Sequence, residues 1–323
     1  MTRPVVAVLG ASADEPPPGI EPAAEIADLR FVADADAAAE GIPVADAIFF
    51  WRAPRRWIED AFDGATRLRW IQSASDGVDG LVFPALAERE VQVTNARGVF
   101  DEPIAEWVIA AIGAFTTGLQ RSILDQTRAE WVDGRQRATV AGQHLVIVGP
   151  GPIGRETARR ARALGMTVEA VGRSARHDAD LGDVAGPQGL HAALGRADHV
   201  LDALPLTTET SGLLDADAIA SMPSRAYFYN VGRGATVDEA ALIEALRTGA
   251  LAGAALDVFV EEPLPAGSPL WSMRNVIVSP HICGDVEGWE ETVVALFVDN
   301  LRRFVAGEPL RNPVDVRAGF GVG

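Results

Sequence analysis

The stretch "VIVGPGPIGRETARRARALGM", residues 146–166, runs from an apolar segment through a glycine-rich turn into a polar segment of helical length. Gly149, Gly151 and Gly154 stand in the spacing G-x-G-x-x-G. In a strand–turn–helix unit the first glycine permits a tight turn. The second lets the backbone approach a pyrophosphate, and the third lets helix and strand pack closely. Pro152 falls at the first helical position, where a missing N–H costs the helix nothing. The N–H groups of Ile153 and Gly154 would then face a pyrophosphate, helped by the helix dipole. The turn therefore predicts a dinucleotide site.

In such units an Asp or Glu about 20 residues further on usually holds the adenosine ribose 2′-hydroxyl. Here "VEAVGRSARHD", residues 168–178, ends its strand on Gly172, Arg173, Ser174 and Arg176 instead. A carboxylate beside a 2′-phosphate would repel it, whereas a guanidinium offers a fork to its oxygens. Gly172 leaves room, the two arginines bring charge, and Ser174 adds a hydroxyl donor. The expected cofactor is NADP. The alternative is a solvated turn, with NAD bound without its usual ribose anchor.

Strands and helices alternate outward from the turn. "HLVIVG", "TVEAVG", "HVLDAL", "AYFYNV", "LAGAALDVF" and "VIVSPH" are six apolar runs with helical segments between them, which predicts a doubly wound parallel sheet of Rossmann type. Residues 101–119 predict one long helix, with Asp101 as N-cap and Pro103 in its first turn. Apolar runs at 5–9, 29–32, 47–50, 69–72 and 91–94 make a second, smaller α/β unit of flavodoxin-like kind. The expected organisation is a dinucleotide-binding domain over 100–286, inserted into a substrate domain formed by 1–99 and 287–323. A small substrate would sit in the cleft between two such lobes.

Composition narrows the function classes. A formal charge of −17 over 323 residues argues against binding to nucleic acid or to an anionic membrane. The apolar run "WVIAAIGAF", residues 107–115, is too short to span a bilayer and predicts a helix buried on all sides, between domains or between subunits. The N-terminal apolar run is shorter than a signal peptide's and reads as a first strand. The single cysteine, Cys283, excludes an intramolecular disulfide and suits the cytoplasm. No metal site is expected.

Three further stretches end predicted strands on the side where an open α/β sheet binds ligands: "NVGRGATVDEAAL" (230–242), "AALDVFVEEPLP" (254–265) and "VSPHICG" (278–284). They contribute an Arg, a Glu and a His. An imidazole can give or take a proton near neutrality, a carboxylate can fix its tautomer, and an Arg can grip a substrate carboxylate. His144, His177, His191 and His199 lie in segments with no such constellation. Arg52, after Trp51, and Arg97 stand near strand ends of the small domain. Either reaches a substrate or forms a surface salt bridge.

In this order the motifs "RWIQSASDGVDGL", "VTNARGVFDEPIAEWV", "GPGPIG", "ALPLTTETSGLL", "NVGRGATVDE", "LDVFVEEPLP", "SPHICG" and "NLRRFVAGEPLRNPVD" resemble the D-2-hydroxyacid dehydrogenase family over nearly the whole chain. The likeness is strongest to its glyoxylate/hydroxypyruvate reductase-like branch. That resemblance implies an oxidoreductase moving a hydride between nicotinamide C4 and substrate C2. It makes Arg233 the substrate-binding residue, His281 the acid/base, and Glu262, rather than Glu261, the partner of His281. It places Asp257 near the nicotinamide ribose and Leu204, Pro205 and Leu206 along the cofactor's path. Val231, Gly232 and Gly284 complete the implied cofactor set. Ser75, Asp76 and Gly77 would meet the substrate carboxylate with their N–H groups. A homodimer is also implied. Three positions depart from the family pattern: Asp76 is commonly small and apolar, Cys283 small, and Trp107 often His. The substrate is left open by them.

Two other readings remain. Dinucleotide-binding corepressors are similar to this family, although the complete Arg–Glu–His set favours an enzyme. A dehydrogenase of formate or phosphite is the other. Formate dehydrogenases carry Gln in place of Glu262, and phosphoglycerate dehydrogenases with regulatory domains would need more chain after residue 306.

Overall fold

The apolar runs of the first hundred residues form strands in the computed structural model, which describes residues 3–317 and 320–321. By its internal contacts the chain divides into two compact units, Met1–Phe100 with Val286–Gly323, and Asp101–Asp285.

The first unit holds strands β1 (Val5–Leu9), β2 (Asp28–Val32), β3 (Ala47–Phe50), β4 (Trp70–Ser73) and β5 (Gln92–Thr94). They pair in parallel in the order β2-β1-β3-β4-β5, the flavodoxin-like order. Ala7, Leu9, Ile48 and Ile71 face one layer of core. On the other face Phe49 stacks on Phe297, with centroids 4.2 Å apart, and Trp70 stacks on the same ring at 5.7 Å. Phe297 belongs to the helix Trp289–Ala306, so the returning C-terminal segment completes this core. A buried polar set fixes its register. Asn300 donates to Gln72 Oε1 at 2.8 Å, Thr94 donates to the same oxygen, and the Trp70 indole N–H donates to Thr94 Oγ1.

In the second unit lie β6 (His144–Val148), β7 (Thr167–Val171), β8 (Arg176–Asp178), β9 (Gly182–Ala185), β10 (His199–Asp202), β11 (Tyr227–Asn230), β12 (Gly253–Leu256) and β13 (Val276–Val278). Their order is β13-β12-β11-β10-β6-β7-β9-β8. Alternate side chains of each strand enter different cores. Val146, Val148, Val200 and Phe228 pack with the helices Leu190–Leu194, Ala216–Ser221 and Glu239–Thr248. Leu145, Ile147, Leu201 and Tyr229 pack with the helices Asp101–Thr116 and Pro152–Ala163. Helices thus cover both faces, as a doubly wound sheet requires.

Two expectations are corrected. The sheet has eight strands rather than six, because the polar segment after β7 folds into the short antiparallel hairpin β8–β9. The helix from Asp101 ends at Thr116. Gly118, at φ 72°, turns the chain, and a second helix, Leu119–Gln126, leaves at 72° to the first. Within this single chain Val108, Ile112 and Phe115 of the first helix face the core, while Ala110 is exposed and Trp107 half-buried. Among the described residues no single helix is long and apolar enough to cross a membrane.

His199 lies fully buried in β10, between Tyr229 Oη at 2.9 Å and Gln143 Oε1 at 2.6 Å. Burial holds its imidazole down to about 4, opposed by the charge of Asp198. The unfolded chain therefore takes up a proton here before the folded one does. This stability is present above about pH 6.5 and is lost as pH falls toward 4, by about 3 kcal/mol for such a shift. Urea melts at pH 7 and pH 4.5 should show the loss, and His199→Phe should flatten it. An equally steep fall in that variant would contradict the account.

Candidate functional site

The glycine turn is built as its spacing requires. Gly149 sits at φ 95°, and a Cβ there would lie 2.7 Å from the Ala203 carbonyl oxygen. A Cβ on Gly154 would lie 2.7 Å from the Gly149 oxygen, so strand and helix meet there without room for a side chain. Gly151 caps the helix Pro152–Ala163, with Pro152 at its first position. A Cβ on Gly151 would meet no protein atom. The backbone is therefore open on the side of the first helical N–H groups, which suits a dinucleotide pyrophosphate.

At the end of β7, Gly172 donates to the Ala185 oxygen. A Cβ on Gly172 would come within 3.0 Å of Arg176 Nη1, so its absence makes room for that guanidinium. Arg173 and Ser174 are exposed in the following turn, and Arg176 begins β8. Sequence reading missed the acid nearest this cluster. Asp178 lies two residues past Arg176 and is gripped by both terminal nitrogens of Arg155 from the neighbouring helix. It also accepts the N–H groups of Asp180 and Leu181. The Arg155 guanidinium holds the Asp178 carboxyl far below the usual carboxylate range, with those backbone bonds assisting. Its nearest approach to Arg176, 3.9 Å, is long for an ion pair.

The loops after β10 and β11 lie side by side. Val231 donates to the Asp202 oxygen, and a Cβ on Gly232 would lie 2.5 Å from the Leu204 oxygen. Pro205 follows Leu204, and its carbonyl oxygen accepts from Thr210. Arg233 is half-buried and donates to the Gly232 oxygen at 2.8 Å.

The loop after β13 carries His281 in the left-handed region, at φ 57°, which is uncommon for a residue other than glycine. Asp257, buried at the end of β12, fastens this loop by accepting from Ser279 Oγ at 2.6 Å and from the N–H groups of Ile282 and Cys283. Gly284 is buried behind it. His281 Nδ1 lies 2.7 Å from Glu262 Oε2, while Glu262 Oε1 accepts the Phe259 N–H at 2.9 Å. Glu261 is exposed. Because Nδ1–H is committed to the carboxylate, Nε2 is the nitrogen left for proton exchange. The half-buried Cys283 thiol is pushed up by burial and by the charge of Asp257, which disfavours its thiolate form.

Contact with a carboxylate does not by itself mark the acid/base. His144 lies 3.3 Å from Glu169 and His177 lies 2.9 Å from Asp183. What sets His281 apart is its place in a left-handed turn at a strand's carboxyl end.

Within the first unit, the Ser75 hydroxyl donates to the Gly77 oxygen, and the Ser75 N–H bonds Ser73 Oγ. Asn95 donates to both the backbone oxygen and Oδ1 of Asp76, at 2.7 and 3.0 Å, which orients this unexpected acid. Arg52 pairs with Glu290 at 2.5 Å and lies against the rings of Trp51 and Trp289. The salt-bridge alternative for Arg52 is thus realised, and Trp289 and Glu290 are the partners that sequence reading missed.

Residues 109–283 match the model of the NAD binding domain of D-isomer specific 2-hydroxyacid dehydrogenases. The chain belongs to this family. It is an NAD(P)-dependent oxidoreductase. The dehydrogenase is 34% identical over 263 residues to glyoxylate/hydroxypyruvate reductase B of Pectobacterium carotovorum, a match covering 80% of this chain and 82% of that one. Its fold is similar to that of the NADPH-dependent glyoxylate/hydroxypyruvate reductase of Sinorhizobium meliloti, solved with NADP and sulfate. There the TM-score is 0.84 and the identity 28%, over 99% of this chain and 100% of that one. A D-isomer specific 2-hydroxyacid dehydrogenase of Xanthobacter autotrophicus, solved with NADPH and MES, gives 0.83 and 31% over the same shares.

Proposed function

We propose that this dehydrogenase is an NADP-preferring 2-oxoacid reductase of the glyoxylate/hydroxypyruvate kind. The observation that carries the reading is the 2.7 Å contact between His281 Nδ1 and Glu262. A bound nicotinamide supplies the hydride for the substrate's C2 carbonyl. His281 delivers the accompanying proton from Nε2, and in the reverse direction the neutral imidazole takes it back. Glu262 holds the imidazole in the tautomer that leaves Nε2 available and offsets the charge of its protonated form. Arg233 grips the substrate carboxylate and stabilises negative charge developing on the carbonyl oxygen. Asp257 serves chiefly to hold the His281 loop, and any contact with the nicotinamide ribose is made beside that task.

NADP preference is supported by the open position at Gly172, by Arg173, Ser174 and Arg176 around it, and by the engagement of Asp178 with Arg155. The relatives solved with NADP or NADPH point the same way. A homodimer is supported by exposed apolar side chains in one segment: Leu119 at 55%, Ile123 at 53%, Trp131 at 94% and Val132 at 45%. The single cysteine supports a cytoplasmic location.

The test is product analysis. Hydroxypyruvate incubated with NADPH should give D-glycerate in step with the NADPH consumed. Nucleotide binding with no glycerate formed from hydroxypyruvate and no glycolate from glyoxylate would overturn the reading.

A further inference from the structure

At the carboxyl end of β10, three oxygens lie in a chain. Thr236 Oγ1 is 2.6 Å from Asp202 Oδ2 and 2.6 Å from the Arg233 carbonyl oxygen. Two oxygens at that distance repel unless a proton lies between them. Two such contacts need two protons, and the threonine hydroxyl has one. The carbonyl has none to give, so the second comes from Asp202. The other oxygen of the carboxyl agrees with this assignment, because Oδ1 accepts the Leu204 N–H at 3.0 Å. A proton on Oδ2 leaves that bond intact. The hydroxyl of the acid then donates to Thr236, and Thr236 donates to Arg233.

We infer that Asp202 works as a neutral carboxylic acid that positions Arg233 through Thr236, and that its ionisation loosens the substrate-binding arginine as pH rises. The inference rests on the role of Arg233 proposed above. Both Asp202 and Thr236 are fully buried. Across the sheet Asp202 faces Val148 on β6 and Asn230 on β11, and its remaining polar neighbours are Thr236 and the Leu204 N–H. None of these titrates. Burial pushes the carboxyl up to about 7 against those two hydrogen bonds, and no charged side chain among the described residues contributes. When the proton leaves, Thr236 must turn its single hydrogen to the carboxylate. The contact with the Arg233 oxygen then becomes repulsive. That oxygen is then left with longer bonds, among them those from Asn230 Nδ2 at 3.1 Å and from the Thr236 N–H at 3.2 Å.

Asp202 touches no reacting atom, so it is a positioning residue. Asparagine is the shape of the neutral acid: its amide can donate to Thr236 while its oxygen accepts from Leu204. The experiment follows KM and kcat for hydroxypyruvate from pH 6 to pH 9 in the wild type and in Asp202→Asn. Infrared difference spectra of the substrate-free proteins accompany it over the same range. The wild type should show a protonated carboxyl band that fades through neutrality and is missing from Asp202→Asn. Its KM should rise by about tenfold, as one hydrogen bond's strength is lost, relative to a variant that keeps the acid-pH value throughout. Any pH dependence that other groups give KM acts in both proteins and cancels in that comparison. Thr236→Val should show the high KM already at pH 6, and Thr236→Ser should restore the wild-type profile.

Absence of the band would show Asp202 ionised and overturn the inference. A band with parallel KM profiles in wild type and Asp202→Asn would equally overturn the link to Arg233. Because the infrared measurement needs no turnover, a protein that reduces no 2-oxoacid would sink the functional reading and leave protonation to be judged on the band.

Discussion

Replacing His281 with Asn should lower kcat for 2-oxoacid reduction by about 10²–10⁴, the usual contribution of a positioned acid/base. Asn is the informative choice because His281 sits at φ 57°, a region that Asn tolerates better than most residues. The loop should therefore keep its shape, held by the bonds from Ile282 and Cys283 to Asp257. NADPH affinity, measured by fluorescence titration, should change by no more than about twofold, since no cofactor contact is assigned to the imidazole. Glu262→Gln removes the charge but keeps a hydrogen-bond acceptor for Nδ1. It should cost less than the His281 change and shift the pH profile of kcat. Near-normal turnover in His281→Asn would leave the dyad without a catalytic role.

The second large effect concerns the cofactor. Arg173→Ala combined with Arg176→Ala should lower kcat/KM for NADPH by about 10²–10³. This corresponds to two charge-assisted hydrogen bonds of about 1.5–3 kcal/mol each, partly compensated by water and Ser174. NADH, which lacks the 2′-phosphate, should change by less than about threefold. Asp178 sharpens this prediction. Freed by Arg155→Ala, its carboxylate would compete for Arg176, so that substitution should weaken NADPH as well, although Arg155 itself is assigned no phosphate contact. A double arginine variant that lost NADPH and NADH activity alike would mean that the arginines hold the fold rather than the phosphate.

Local patterns were legible in the sequence because they depend on neighbours in the chain. Gly149, Gly151 and Gly154 specify a turn through their own backbone geometry, and Pro152 marks the first residue of the helix that follows. The apolar runs became strands because a parallel sheet covered on both faces needs unbroken apolar segments. What escaped was decided by distant partners. Arg52 meets Glu290, far along the chain, and nothing around either residue announces the other. Asp178 reads as a surface acid until the helix brings Arg155 against it. Asp202, in "HVLDAL", looks like the polar end of a strand, and only its burial beside Thr236 makes its proton matter. The turn at Gly118 was missed because a single glycine is often tolerated within a helix, as Gly113 is in this one.

The measurement closest to the central claim is a side-by-side comparison of initial rates with NADPH and NADH, using glyoxylate, hydroxypyruvate and bulkier 2-oxoacids. The account predicts turnover with at least one of the small 2-oxoacids and kcat/KM for NADPH above that for NADH by about tenfold or more. Turnover with NADH alone would contradict the assignment of Arg173 and Arg176. No turnover with either cofactor, in a protein shown to bind NADPH, would contradict the reductase itself.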